Sequence, residues 1–416
     1  MSATSLSEET ISGDRSEVDL VGLVHSLEPQ IREAEGRIET EGRTPIELIH
    51  QLYDGGLFRS FLPRELGGLE VHPADWLKAI IELSRINGSV GWLGMLHAGG
   101  TWCEPEVMKP ILAQNRWITA GNLGRAAGKA YRVDGGYRIT GKWPFSSGSP
   151  EATYLYGRSM LYDENDNQVF HPVDGNPWYI TGYFPREDVI VHDDWDALGL
   201  RGTGSGHIEV KDVFVPTEMV NELGVHYRAY DRPLYRAPFN VLAHSAHAIG
   251  LLQSALEEFV AQVHKAASHG SLRQARLGNE QIHQHAAGKT DAVIRSLTAY
   301  LMEVAHDAYE NAKDHGPVEY VHRVRIHQVN VHCVQRANEA LHYIYQQTGS
   351  PGIFRGTRIE RIFRDMTVAA QHTLVGDASM DRVGQYLLTK DLPSGPQIDV
   401  SSTGFIMGPH PQFDTK

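Results

Sequence analysis

The sequence predicts an α+β protein with an N-terminal helical domain, a central antiparallel β-barrel or sandwich, and a C-terminal helical bundle. Three observations predict it. Helix start and stop signals recur between residues 18 and 113. Short alternating segments broken by Gly and Pro fill 114–229. Long apolar runs at helical spacing then fill 230–392. Each texture matches the period of one kind of secondary structure, and their order sets the class.

Residues 1–17 read as a polar tail, with no basic stretch leading into an apolar one and so no secretory signal. Pro45 opens a helix that stops at Gly55-Gly56. Pro73 opens another, whose Trp76, Leu77, Ile80, Ile81 and Leu83 share an apolar face. It ends at Asn87-Gly88, and Ser89 is the expected cap of a third helix bearing Trp92, Leu93, Leu96 and His97. Alternation on both sides of Asp134-Gly135-Gly136 predicts a hairpin. Short strands are expected near 154–157, 178–184, 189–191 and 207–215. Runs at 242–266, 281–309 and 318–347 are long enough to bundle antiparallel. A tail at 393–416, rich in Pro, Gly and Ser, is expected on the surface or against a neighbour.

Bulk properties narrow the function. The chain has 416 residues, 41% of them hydrophobic, which is ample for a core. A net charge of −13 argues against nucleic acid and anionic membrane as partners. No apolar run reaches the ~18 residues of a membrane span. Cys103 and Cys333 form neither a disulfide framework nor a zinc pattern, as expected of a reduced cytoplasmic protein. The 22 histidines invite a metal search. His283 and His285 point apart on a helix, His322, His327 and His332 drift around one, and His244 and His247 share a face without an acid; no metal site is expected. Gly202-Thr-Gly-Ser-Gly206 lacks the strand-before, helix-after setting of a dinucleotide loop, and no Gly-x-Ser-x-Gly elbow is present.

The richest stretch for chemistry runs from Arg361 through Arg364, Asp365 and His372 to Thr373. Together with Phe58-Arg-Ser-Phe-Leu-Pro-Arg-Glu-Leu-Gly-Gly68, Gly141-Lys-Trp-Pro-Phe-Ser-Ser-Gly148, Leu198-Gly-Leu-Arg-Gly-Thr-Gly-Ser205 and Phe363-Arg-Asp365, it resembles the acyl-CoA dehydrogenase superfamily over nearly all of the chain after residue 18. Phe-Ser-Ser-Gly and Arg-Asp followed by Gln-His resemble its two-component flavin-dependent monooxygenases, among them hydroxyphenylacetate and secosteroid phenol hydroxylases and dibenzothiophene sulfur oxygenases.

That resemblance implies an enzyme fed with reduced FMN or FAD by a separate flavin reductase. With O2 it would form a C4a-hydroperoxide and oxygenate a small organic substrate, aromatic or phenolic by preference. It also implies a homotetramer. Dehydrogenase relatives carry a glutamate eight residues after the Asp of Arg-Asp; here that position is Thr373, which cannot act as a base. His372 beside it is implied as the acid/base or substrate-orienting group. Ser147 is implied to bond the flavin N5 edge, with Ser146 in the same turn, and Asn122 to pair with the ring's polar edge. Trp195 is implied beside the isoalloxazine, Ser205 near its edge or phosphate, and His97 in the pocket wall. Read without the resemblance, the same residues are a helix-end histidine, turn serines, a buried helical histidine and a core tryptophan. Arg273 and Arg276 match only loosely an arginine that reaches a neighbour's cofactor. Asp377 is the nearest acid beyond Thr373. Three alternatives stay open: N- or S-oxygenation by the same flavin chemistry, an acyl-CoA dehydrogenase with a relocated base, and a non-catalytic flavin-binding or assembly subunit.

Overall fold

The structure, a computed structural model, describes residues 18–98, 105–172, 175–222, 232–268, 280–316 and 318–393. Residues 1–17 and 394–416 of the expected tails, Cys103, Arg273 and Arg276 lie outside the described residues.

Helix α1 (Leu20–Glu41) starts where the Asp19 carboxylate accepts the Gly22 amide at 2.7 Å and stops at left-handed Gly42. Its buried stripe, Leu20, Val24, Leu27, Ile31 and Ile38, follows the helical period. Pro45 and Gly55 bound α2 (Ile46–Asp54), and Pro73 opens α3 (Pro73–Ile86), as the sequence predicts. Helix α4 (Gly88–Leu96) corrects the expected cap: Asn87, not Ser89, accepts the Val90 amide at 3.1 Å. Ser89 Oγ is used elsewhere, accepting the Gly202 amide at 3.1 Å and so tying α4 to a distant loop. Helix α5 (Pro105–Gln114) completes this region.

The central sheet holds β1 (Thr119–Asn122), β2 (Gly128–Val133), β3 (Gly136–Trp143), β4 (Tyr154–Tyr162), β5 (Tyr179–Pro185), β6 (Ile190–Val191), β7 (Ile208–Pro216) and β8 (Val220–Glu222). The order is β6-β7-β3-β2-β4-β5-β8, with β1 also on β4. The Asp134-Gly135 hairpin forms, Gly135 taking φ +73°. An all-antiparallel sheet does not: β4 pairs in parallel with both β1 and β2. The physical reason is the connection through Ser146-Ser147-Gly148. It is too long for a hairpin, so β4 returns on the far side of β2 and runs in the same direction.

The bundle consists of α6 (Ala243–Ser268), α7 (Gln281–His315), α8 (Tyr320–Gln347), α9 (Arg358–Ala369) and α10 (Ala378–Thr389). Helix α6 packs on α3 and α8, joining the two helical regions around one core. Helix α9 is fastened by ion pairs: Arg364 to Glu39 at 2.8 Å, Arg361 to Glu35 at 3.0 Å, and Arg358 to Glu258 at 2.7 Å. Among the described residues, no helix is long and apolar enough to cross a membrane.

Candidate active site

Five segments converge: the end of α4, the Ser-Ser-Gly turn before β4, the loop before β7, the first turn of α6, and the end of α9. The turn is a forced shape. Phe145 holds φ +58°, unusual for a bulky residue, and Gly148 holds φ +77°. A Cβ on Gly148 would lie 2.3 Å from His97 Nε2, so only glycine leaves room for that ring. The turn is pinned by the Ser146 amide on Gly206 O and the Gly148 amide on Thr203 O, at 3.1 and 2.7 Å.

Four hydroxyl and indole groups form a chain. Trp92 Nε1 donates to Ser147 Oγ at 3.3 Å, Ser147 Oγ lies 2.6 Å from Ser205 Oγ, and Ser205 Oγ lies 2.6 Å from Thr203 Oγ1. Thr203 Oγ1 donates to Leu200 O at 2.7 Å. Both ends are chemically fixed, since an indole N–H only donates and a carbonyl only accepts. Satisfying every link sends each hydroxyl hydrogen toward Leu200 and leaves Ser147 with an uncommitted lone pair.

Leu200 is held for this purpose from below. Its φ is +51°, and its amide donates to the buried Asp365 carboxyl at 2.6 Å. Its carbonyl also receives Trp195 Nε1 at 3.0 Å. Burial drives the Asp365 carboxyl up to about 7, against the pull of the Leu200 amide. The acid in the motif therefore positions a loop.

The imidazoles have assigned tautomers as well. His372 Nδ1 accepts the Leu374 amide at 3.3 Å, so the neutral ring carries its hydrogen on Nε2. His97 is the reverse: Nδ1 faces Thr119 O at 2.8 Å and must donate, leaving Nε2 bare, buried and without a partner against Gly148. Burial depresses both rings to about 4.

The structure brings in a further pair, His244 and His247, which the sequence shows only as two histidines on one face without an acid. His244 stacks on His372 with ring centroids 4.3 Å apart, and Trp92 meets the edges of His244, His247 and His372 at 5.4, 5.3 and 5.8 Å. His247 Nε2 donates to Gly88 O at 2.9 Å. Burial lowers His247 to about 4, and burial with the two neighbouring imidazoles holds His244 well below its ordinary value. His244 and Thr203 were legible only as one of many histidines and as part of a glycine-rich loop.

The remaining expected residues are also placed. Phe145, 66% exposed, meets Trp195 edge-on at 6.3 Å, so two aromatic faces border the turn. Ser146 Oγ is buried without a partner. Asn122 spends one amide hydrogen on Pro144 O at 2.8 Å and its oxygen on the Arg125 amide at 3.0 Å, which leaves one hydrogen for a ligand. Thr373 is an exposed residue of the turn Thr373–Val375, and the exposed Asp377 carboxylate accepts Gln335 Nε2 at 2.6 Å.

These residues fit a flavin: an exposed Phe145 and a half-buried Trp195 for a flat ring, an oriented polar edge at Ser147, and an orphaned hydroxyl at Ser146. The acyl-CoA dehydrogenase N-terminal domain family matches residues 24–105, and its C-terminal domain family matches 242–376. The chain belongs to the acyl-CoA dehydrogenase superfamily. Within that superfamily, it is 26% identical over 400 residues to a pigment production hydroxylase of Rhodococcus sp. (strain ATCC 21145), covering 91% of this chain and 98% of the relative. It is 25% identical to the HsaA oxygenase subunit of a flavin-dependent monooxygenase of Rhodococcus jostii, covering 83% and 92%. The dibenzothiophene-type oxygenase TdsC of Paenibacillus sp. A11-2, solved with FMN and indole, superposes with a TM-score of 0.75 at 21% identity over 92% of this chain and 99% of that one.

Proposed function

We propose that this superfamily member is the oxygenase component of a two-component flavin-dependent monooxygenase that hydroxylates a small aromatic, preferentially phenolic, substrate. It would work in the cytoplasm as a homotetramer and receive reduced FMN or FAD from a separate reductase. When bound, the reduced flavin supplies the two electrons with which O2 is divided between product and water.

One observation supports this most directly. The Ser147 oxygen offers an acceptor at the edge of an aromatic-walled turn, and a reduced flavin ring has an N–H at N5 to meet it. The perpendicular Phe145 and Trp195 rings would border the flavin, one by its face and the other by its edge, and Asn122 would take the second polar edge. His372 presents Nε2–H, so it acts in its resting tautomer as a hydrogen-bond donor that orients an oxygen of the substrate. His97 acts at one remove, propping Gly148 and so the Ser147 oxygen. A water-poor setting of neutral imidazoles and indole keeps these donors strong.

The test supplies photoreduced FMN or FAD, 18O2 and a panel of phenols and indoles to the purified protein. Incorporation of one 18O atom into an organic product is expected. Flavin reoxidation at the free-solution rate, with no label in any product, would overturn the proposal.

A further inference from the structure

We propose that Thr203 is a specificity-determining residue that makes this site prefer the reduced over the oxidised ring, by fixing the direction of the hydroxyl chain behind Ser147. The proposal rests on the flavin reading above.

The chain could point two ways. In the forward direction Ser147 donates to Ser205, Ser205 to Thr203, and Thr203 to Leu200 O, the last at 2.7 Å. Ser147 then faces the ligand as an acceptor. In the reverse direction Thr203 donates to Ser205, Ser205 to Ser147, and Ser147 turns its own hydrogen outward. Trp92 Nε1 donates to Ser147 in both cases, so the indole does not choose. The choice lies at the far end, where the reverse direction gives up the bond from Thr203 to the Leu200 carbonyl.

That carbonyl cannot follow the change. Leu200 sits at φ +51° with its amide on Asp365, and its oxygen is shared with Trp195 Nε1. The chain members Ser147, Ser205 and Thr203 are all buried, so water does not make up a lost link. An oxidised flavin has a bare N5 that needs a donor; a reduced flavin has an N5–H that needs an acceptor. The forward chain serves the reduced ring without rearrangement. The oxidised ring must either face an opposed lone pair or reverse the chain at the cost of one hydrogen bond. One such bond corresponds to about two- to tenfold in the ratio of the two dissociation constants.

Thr203→Val is close in shape and removes both halves of the link. Ser205 then has no inner acceptor, and both directions become equivalent. Thr203→Ser keeps the hydroxyl. Anaerobic fluorescence titrations of the flavin-free protein with oxidised and with photoreduced FMN, repeated with FAD, read the ratio directly and need no turnover. Wild type is expected to favour the reduced form, Thr203→Val to lose about two- to tenfold of that preference by gaining oxidised-flavin affinity, and Thr203→Ser to retain it. Ser205→Ala cuts the next link and is expected to shift the ratio the same way, so the proposal stays testable if the valine variant fails to fold. Should both redox forms bind and the ratio stay unchanged in Thr203→Val and Ser205→Ala, the chain only satisfies buried hydroxyls and the proposal fails. If neither flavin binds the wild type, the functional reading itself is wrong.

Discussion

The two ends of α9 handle burial in opposite ways. At its N-terminal end, Arg358, Arg361 and Arg364 answer acids on α1 and α6, and each charge is kept because a partner is at hand. Past its C-terminal end, His372 meets His244 and Trp92, and no charge is kept at all. Between them Asp365 shares features of both: a carboxyl among arginines that is nonetheless driven toward neutrality by burial. Charge pairs hold helices in place here, and neutral, tautomer-fixed groups face the proposed chemistry. A motif that looks in sequence like one catalytic unit is two units with different work.

The largest expected effect tests the neutral end. His372→Ala should lower product formation about 10²-fold with little change in stability, whereas His372→Gln, which keeps an N–H near the Nε2 position, should stay within about tenfold of wild type. Turnover with reductase and NADH measures both. A glutamine variant as inactive as alanine would mean that the imidazole serves as a base after all. At the junction, Asp365→Ala leaves the Leu200 amide buried without its partner and should cost about 3 kcal/mol in urea denaturation, with flavin affinity falling alongside. An unchanged midpoint would remove Asp365 from its positioning role.

Two buried groups, His247 on α6 and Asp365 on α9, should also tilt the pH profile of stability in opposite directions. His247 titrates near 4 when folded against an ordinary 6.5. The unfolded chain binds the proton first as pH falls, so this histidine's contribution is complete above about pH 7 and declines toward pH 4. Asp365 titrates near 7 when folded against an ordinary 3.8, so it favours the folded state least at high pH, and its penalty grows as pH rises from about 4 to 7. His247→Gln retains the donor to Gly88 and should flatten the profile between pH 5 and pH 7 by about 2 kcal/mol; Asp365→Asn should steepen it by about as much. Denaturant midpoints at both pH values decide, and slopes changing in the same sense would contradict the assignment. The smallest effect belongs to the ion pairs: Glu39→Ala should cost about 1 kcal/mol, less at high salt, and leave turnover unchanged. A turnover loss matching that of His372→Ala would erase the distinction between the two ends.

Much of this was legible in the residues. Proline starts, glycine stops and apolar spacing located α2, α3 and the three long helices, because local sterics decide those features. The Ser-Ser-Gly turn and the loop ending at Ser205 stood out as motifs. Three things were hidden. The parallel β4 pairings depend on the path of a long connection, which local alternation does not encode. Asn87 outcompeted Ser89 as a cap because Ser89 was needed by the Gly202 amide, a contact made across 113 positions. His244 could not be linked to His372, since their stacking exists only once α6 and the end of α9 are packed together.

The meeting of β1 and β2 along β4 has a consequence for how such a protein diversifies. Asn122 pairs with Gly157, and Gly128 pairs with Ser159, so both strands lie on one edge of β4 and residues 123–127 loop out opposite Arg158 alone. Arg158 Nη1 holds the base of that excursion through Leu123 O at 3.3 Å, and Asn122 closes its near side. The register is locked before and after the excursion. Insertions or deletions there would alter what borders the proposed ring edge while the sheet on either side keeps its pairing. The interrupted strand is thus a place where lineages can exchange loop length for new ligand range without refolding the sheet, much as a replaceable bit is changed in a fixed tool.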